Sequence, residues 1–485
     1  MNQNIRDKYE IVIGLEVHAQ LQTESKIFAA DINSFGNEAN TNISPITLGH
    51  PGTLPKLNKK AVEYAIKLGV AVGSTISQEQ QFDRKNYFYP DLPKGYQITQ
   101  DKTPICMGGG VKVQLSTGEK TVRFHHIHLE EDAGKSLHLE NEKDSFIDYN
   151  RAGTPLVEMV TEPEIKSAEE AFQFLTEVRK LVRYLDICDG NMEEGSLRCD
   201  VNISVMPVGS KVFGTKVEIK NMNSIRNVQR AIDYEVPRQI QMVENNETII
   251  QETRSFDAAT GKTHGMREKE TMNDYRYFSE PDLTPLMISD AWLNSIKENM
   301  PALPWEMYHK FTNQYQLPEY DASVLTETKE IAQYFEAVCQ YNSHYKAASN
   351  WVMGSVKSYL NEHNIDISQF AITPEKMGQL ITLVDNNTVS NSVAGQRIFP
   401  EMMVHTNKTP LEIATENNLI QESNTDSLQT LIDEVLAQNT AKVKEYKSGK
   451  KGLLGMFMGE IMKKSAGTAD PKATTILLQK SLEKQ

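Results

Sequence analysis

An unbroken alternation near the start of the chain constrains its fold more than any other feature. Ile11, Ile13, Leu15, Val17, Ala19 and Leu21 alternate with Val12, Gly14, Glu16, His18, Gln20 and Gln22. A strand sends successive side chains to opposite faces, so this period of two predicts one apolar face and one face carrying Glu16 and His18. The pattern recurs where Leu197, Cys199, Val201, Ile203 and Val205 alternate with Ser196, Arg198, Asp200, Asn202 and Ser204, and where Val217 and Ile219 alternate with Lys216, Glu218 and Lys220. Strands with one core face and one polar face belong to antiparallel or mixed sheets. Between them, Ser167-Ala168-Glu169-Glu170 reads as a capping box, and Phe172, Leu175, Val178, Val182 and Leu185 follow as the stripe of an amphipathic helix.

At 485 residues the chain is long enough for two to four domains. From Tyr9 to about Asp290 strands and loops dominate; from Ala291 to His405 the periods are helical; from Asn407 onward the chain stays helical and turns basic. The expected class is α+β: a large N-terminal mixed or antiparallel sheet domain over residues 1–292, an all-α domain over 293–406, and a small all-α tail over 407–485. Thr373-Pro374-Glu375 starts one helix of the second region, with Met377, Leu380, Ile381 and Val384 on its buried side.

Charge and cysteine content narrow the setting. The net charge is −14, so a whole-chain basic footprint is absent and any nucleic-acid contact must be local. Residues 441–485 hold ten Lys against four acids, a net of +6, which leaves −20 for the rest. A solvated helix face is the common meaning of such a run; a grip on phosphates is the alternative. Four cysteines, at 106, 188, 199 and 339, make no paired framework and suggest a reducing compartment. No apolar run approaches the roughly 20 residues that cross a bilayer, and the first residues lack the apolar core of a signal peptide. The expectation is a cytoplasmic protein.

Several motifs bear on chemistry. Gly134-Lys135-Ser136 and Gly261-Lys262-Thr263 end like phosphate loops, but Leu129 and Phe256 stand where the first Gly belongs, so nucleotide chemistry here is not of that type. Gly108-Gly109-Gly110 reads as a turn. His125-His126-Ile127-His128 offers no paired cysteines for structural zinc. Carboxylates are more informative: Glu16 beside His18, the burst Glu130-Glu131-Asp132, and Glu158 inside the apolar run Thr154–Val160. An acid there must be paired, protonated or metal-bound. One His with several carboxylates suits Mg²⁺, while a salt bridge from Glu158 to Arg151 competes evenly. Two runs, Phe82–Tyr96 and Asp274–Asp282, mix aromatics with cations and prolines, as a nucleotide-stacking surface or a rigid packed loop would.

Together these motifs resemble a known family. Ile147-Asp148-Tyr149-Asn150-Arg151-Ala152-Gly153-Thr154-Pro155-Leu156-Val157-Glu158-Met159 looks like the hallmark of the B subunit of the aspartyl/glutamyl-tRNA(Asn/Gln) amidotransferases. Gly14–His18, Asp83–Tyr96, Glu130–Ser136, Met192–Asp200, Lys220–Ser224 and Asp274–Asp282 fit it in order. The resemblance implies a sheet "cradle" that uses ATP and Mg²⁺ to phosphorylate the side-chain carboxylate of Glu-tRNA(Gln) or Asp-tRNA(Asn). Ammonia from the amidase, or A, subunit then displaces phosphate, and the small C subunit braces the pair. It implies His18, Glu131 and Glu158 as metal ligands, with Glu16 beside them and Glu131 also counted as catalytic. It places Lys85 and Lys94 near an ammonia channel and gives the basic tail to tRNA. Some members hold zinc through a Cys-x-x-Cys pair that this chain lacks, so no zinc is expected. Arg198, Lys216 and Lys220, on polar strand faces, are our own candidates for phosphate contacts. The competing classes are a non-catalytic tRNA-binding scaffold and a stand-alone metal-dependent kinase; a buried acid cluster argues against the scaffold.

Overall fold

The computed structural model describes residues 3–138, 144–268, 275–421, 425–465 and 467–484. Asp274, which opens the second aromatic run, lies outside the described residues. The chain divides into two compact units, residues 1–305 and 306–485. The first is built on a mixed sheet and the second is helical, which makes the protein α+β.

Among the described residues the main sheet has ten strands, and Tyr9–Gln20 lies near its middle. On one side it pairs antiparallel with Leu197–Pro207, followed by Val217–Lys220, Glu252–Asp257 and Lys262–Glu268. On the other it pairs antiparallel with Pro155–Thr161, followed by Gly118–Glu131, Cys106–Met107 and Thr75–Ile76. The pairing of Val217–Lys220 with Glu252–Asp257 is parallel. Gly110–Leu115 folds back on Gly118–Glu131. Gly109 ends the preceding turn at φ +84°, where a Cβ would meet Val72 O at 2.7 Å, so the triple glycine serves a close backbone approach.

The alternation holds through the middle of the sheet, while Val12 and Ser204, in the polar phase near the strand ends, are buried too. Ile11, Ile13, Leu15, Val17 and Ala19 are buried in one core with Leu197, Cys199, Val201, Ile203, Val217 and Ile219. Glu16, His18 and Gln20 are half-buried on the opposite face. Helices Ala168–Tyr184 and Ile225–Glu244 contribute Phe174, Leu175, Val178, Val228 and Ile232 to the same core. Each such side chain stabilises the fold by roughly 1.5–3 kcal/mol through burial. Two local readings change. Ser167 caps its helix through Glu170 N–H at 3.1 Å, but the Glu170 carboxylate accepts from Lys166 N–H and Lys120 rather than closing a box on Ser167. Phe174, not Phe172, is the fully buried ring, because the helix turns its 171/174/175/178 face inward.

Helix Asp290–Glu298 spans position 292 and gives Ile296, with Trp292 and Leu293, to the core of the first unit. In the second unit, Thr373 caps Pro374–Asp385 by accepting from Lys376 N–H, and Met377, Leu380 and Ile381 are buried. Helices Thr425–Gln438, Thr440–Lys447, Leu453–Lys464 and Pro471–Lys484 close around their own core of Leu428, Ile432, Val435, Phe457, Ile461 and Leu478. Among the described residues no helix is long and apolar enough to cross a membrane.

The helix phase is testable. Phe174→Ala is expected to cost about 3–5 kcal/mol of unfolding free energy, with Phe172→Ala costing less than half as much, measured by denaturant unfolding. Equal losses would mean the helix face is misassigned.

Candidate functional site

Strand register assembles the site. His128, Glu158, His18 and Arg198 lie directly opposite one another on four adjacent strands, so their side chains form one row across the polar face. Glu16 and Asp200 form the next row, and Lys220 reaches Asp200 from the neighbouring strand. His18 Nε2 lies 3.4 Å from Glu158 and 3.8 Å from Glu130; His128 Nε2 lies 3.4 Å from Glu158 and 3.6 Å from Glu130. His18, Glu130 and Glu158 can each direct a ligand atom to one point, and so can Glu16, Asp200 and Glu218. Glu16 also accepts from Asn202 Nδ2 at 2.8 Å.

The electrostatics are those of a site that gathers positive charge. Burial works against a charge on His18, but Glu158, with Glu130 behind it, raises its pKa to about 9. His128 is raised in the same way against burial, through Glu130 and Glu158. Burial opposes ionisation of Glu158, yet His18 and His128 hold its carboxyl well below the usual range. Glu16 moves the other way: burial, then Glu158 and Asp200, raise it. His128 Nδ1 and Arg198 Nε are buried without a hydrogen-bond partner, so polar capacity is left over. Hard oxygen donors with one imidazole fit a Mg²⁺-like ion. Glu158 faces the two histidines, while Arg151 bonds Ala133 O and Gly134 O and comes within 3.7 Å of Asp132.

The other expected residues divide. Glu131 does not join the cluster. The period of the strand sends His126, His128 and Glu130 to one side and Glu131 to the other, where it takes Lys94 Nζ at 2.6 Å and Ile98 N–H at 2.9 Å. Lys85 sits on strand Asp83–Asn86, its Nζ 5.1 Å from the Tyr275 ring. Burial opposes its charge, but Glu130 raises its pKa overall. Arg198 donates to Asp132 at 2.9 Å, and Lys220 pairs with Asp200 and Glu218. Lys216 is exposed and precedes its strand, outside the cluster. The two aromatic runs meet: Phe278–Ser279 pairs with Asp83–Asn86, and Arg84 binds Glu280 through two bonds at 2.7 and 2.8 Å. Sequence reasoning does not pick out Glu130, His128, Asp200 and Glu218 as members of the clusters. The signal that could find them is phase: each is in step with a residue that alternation does place there.

On the Glu131 side lies a cavity of about 90 Å³ whose lining includes Lys26, Thr47, Lys94, Tyr96, Glu131 and Gly153. Lys26 is buried, its Nζ bonded to Asn42 O at 2.6 Å. Cavities of this size hold small polar molecules.

The first unit thus presents clustered acids and histidines on one face of a mixed sheet, and a helical unit follows it in the chain. Residues 11–294 match the GatB/GatE catalytic domain model and residues 333–482 the GatB domain model. Curated proteins named as the B subunit of aspartyl/glutamyl-tRNA(Asn/Gln) amidotransferase match nearly end to end. The one from Thermoanaerobacter pseudethanolicus is 47% identical over 98% of this chain and 100% of its own. That from Thermodesulfovibrio yellowstonii is 46% identical over 98% and 100%, and that from Geotalea uraniireducens 48% over 98% and 99%. The chain belongs to the B-subunit family of the glutamine-dependent aspartyl/glutamyl-tRNA(Asn/Gln) amidotransferases.

Lys26 supplies a pH test. Burial lowers its pKa from 10.5 to about 8, against the pull of Asp31, Glu131 and Asp148. The folded state holds this proton less tightly than the unfolded chain does, so the associated stability is full above 10.5 and lost as pH falls through about 8. Relative to Lys26→Met, which has no proton to lose, the wild-type protein should gain stability as pH rises from about 8 to 10.5 in urea unfolding. A constant difference would show that folding leaves the proton affinity of Lys26 unchanged.

Proposed function

We propose that this chain uses ATP to activate the side-chain carboxylate of Glu-tRNA(Gln), Asp-tRNA(Asn) or both, and amidates it with ammonia. The carboxylate oxygen attacks the terminal phosphorus of ATP and ADP leaves. Ammonia then attacks the acyl carbon and phosphate leaves. Without activation the departing group would be oxide, which is why the phosphoryl step is needed. The observation that carries the reading is the pair of acid clusters side by side on one strand face.

His18, Glu130 and Glu158 are the residues suited to hold Mg²⁺, with Glu16, Asp200 and Glu218 a second set. Bound there, the ion would neutralise phosphate charge and let two anions approach. Arg198 and Lys220 flank the clusters and are assigned to phosphate; Lys216 would contribute from the rim. Lys85 is held over the aromatic ring of Tyr275 with its charge toward Glu130 and Glu158, where it would steady the substrate carboxylate. Glu131 is assigned with Lys94 to the ammonia side, and Glu130 takes its place among the cation ligands. The small cavity beside Lys94 offers space on that side, and a route walled off by the partner chains would keep ammonia out of bulk water.

Ammonia would come from the amidase (A) partner of a three-chain complex, with the small C partner bracing the pair. Residues 1–292 are taken as the catalytic cradle, 293–406 as a helical domain and 407–485 as the tRNA-binding tail. Lys442, Lys444, Lys447, Lys450, Lys451, Lys463 and Lys464 are exposed there. A reducing, cytoplasmic setting fits the free cysteines.

Glu158→Gln keeps shape and removes charge. It should lower ATP-dependent phosphorylation of charged tRNA about a thousandfold, since several kcal/mol of transition-state stabilisation depend on the ion, while tRNA binding persists. Undiminished phosphorylation would reject the cation assignment. Replacing Lys444, Lys447 and Lys463 together by Ala should raise the KM for charged tRNA and flatten the dependence of log affinity on log salt by roughly one unit per lysine. An unchanged salt slope would remove the tail from the tRNA interface.

A further inference from the structure

A cleft of about 590 Å³ opens beside the cation cluster in the first unit, and none of the chemistry so far assigned uses it. Its lining includes Gln20, two residues beyond His18 on the same face of the same strand. Gln20 Nε2 donates to Asp132 Oδ2 at 2.8 Å, and that oxygen also takes Arg198 Nη2 at 2.9 Å, so this side chain is fixed to the cluster. Strand rise puts it about 7 Å from His18. On the rim, Phe35 is 71% exposed.

Charge decides between the two substrates. Glu24, Asp148, Asp189 and Glu194 line the cleft against Lys135 and Arg151, a sum of 2 − 4 = −2. A triphosphate carries about four negative charges and would be repelled there. The terminal nucleoside of a nucleic acid, whose base and ribose are uncharged and which brings a single phosphodiester charge at its 5′ side, would be repelled far less. Its volume suits a cleft of this size, and unpaired bases are held by stacking on aromatic rings.

We propose that this cleft receives the terminal nucleoside of the charged tRNA, its base on Phe35 and its ester-bearing ribose against Gln20. An extended glutamyl group carries its side-chain carboxyl about 6 Å from the ester oxygen by ordinary bond lengths, which matches the reach from Gln20 to His18. The proposal rests on the function inferred above and adds where the acyl end sits. It also leaves the nucleoside triphosphate to the Arg198 and Lys220 side.

The test uses the complete enzyme with its partner chains. Phe35→Ala should raise the KM for charged tRNA between about fivefold and a hundredfold, the range expected for one lost stacking contact, with the KM for ATP unmoved. Phe213→Ala, a similarly exposed ring outside the cleft, should change neither. In parallel, charged tRNA with a photoreactive 3′-terminal base should crosslink within residues 33–37. A rise in the KM for ATP, or an unmoved KM for tRNA, or a crosslink elsewhere, overturns the assignment. Failure of the wild-type enzyme to phosphorylate charged tRNA would reject the wider function, and the crosslink would still decide the cleft.

Discussion

The arrangement turns on one constraint: carboxylates placed on the half-buried face of a central strand must be neutralised. Glu16, Glu158 and Asp200 are brought together by backbone pairing, and no side-chain choice can separate them without breaking the register. Repulsion between them is answered by His18, His128, Arg198 and Lys220 on the same or adjacent strands. The cost of assembling these acids is met by the apolar face behind them, where Val17, Val157, Val201 and Ile203 are fully buried. The stability of the sheet and the geometry of the acid cluster are therefore set by the same strands.

Much of this was legible in the sequence because it depends on a period of two. The strands at Ile11, Leu197 and Val217 and the polar position of His18 and Glu16 follow from alternation, and Glu158 stands out as an acid inside an apolar run. What escaped was phase at a run of like residues. Glu130 and Glu131 are chemically equivalent on paper; the period of two puts Glu130 on the side of His128, and the register with Pro155–Thr161 puts that side against Glu158. Lys216 stands one residue before its strand, so alternation alone does not fix the side it takes. The helix error at Phe172 is the same kind of ambiguity, since two aromatics two residues apart cannot share one helical face.

Charge is distributed to match. Residues 1–440 carry a net of −20, spread over both the sheet-bearing and the helical part, while the last 45 residues carry a net of +6 on exposed lysines. A polyanionic substrate would be repelled by most of this surface and drawn to the tail, which gives a docking preference without a basic fold. The local cations at Arg198 and Lys220 are already partnered by Asp132, Asp200 and Glu218, so they offer position more than net attraction.

Adjacency of Glu130 and Glu131 ties the parts together. One residue faces the cluster of acids and histidines; the next faces Lys94 and the small cavity. Both are 4% exposed and are carried by one strand whose neighbours fix it on either edge. On the proposed reading, the acyl group is activated on one side of this strand and ammonia is delivered from the other. A shift of the strand by one residue would exchange the two carboxylates and spoil both sites at once. That is a physical reason for the length of Gly118–Glu131 and for its pairing along Pro155–Thr161: the catalytic geometry is held by register, and register is held by the hydrophobic core.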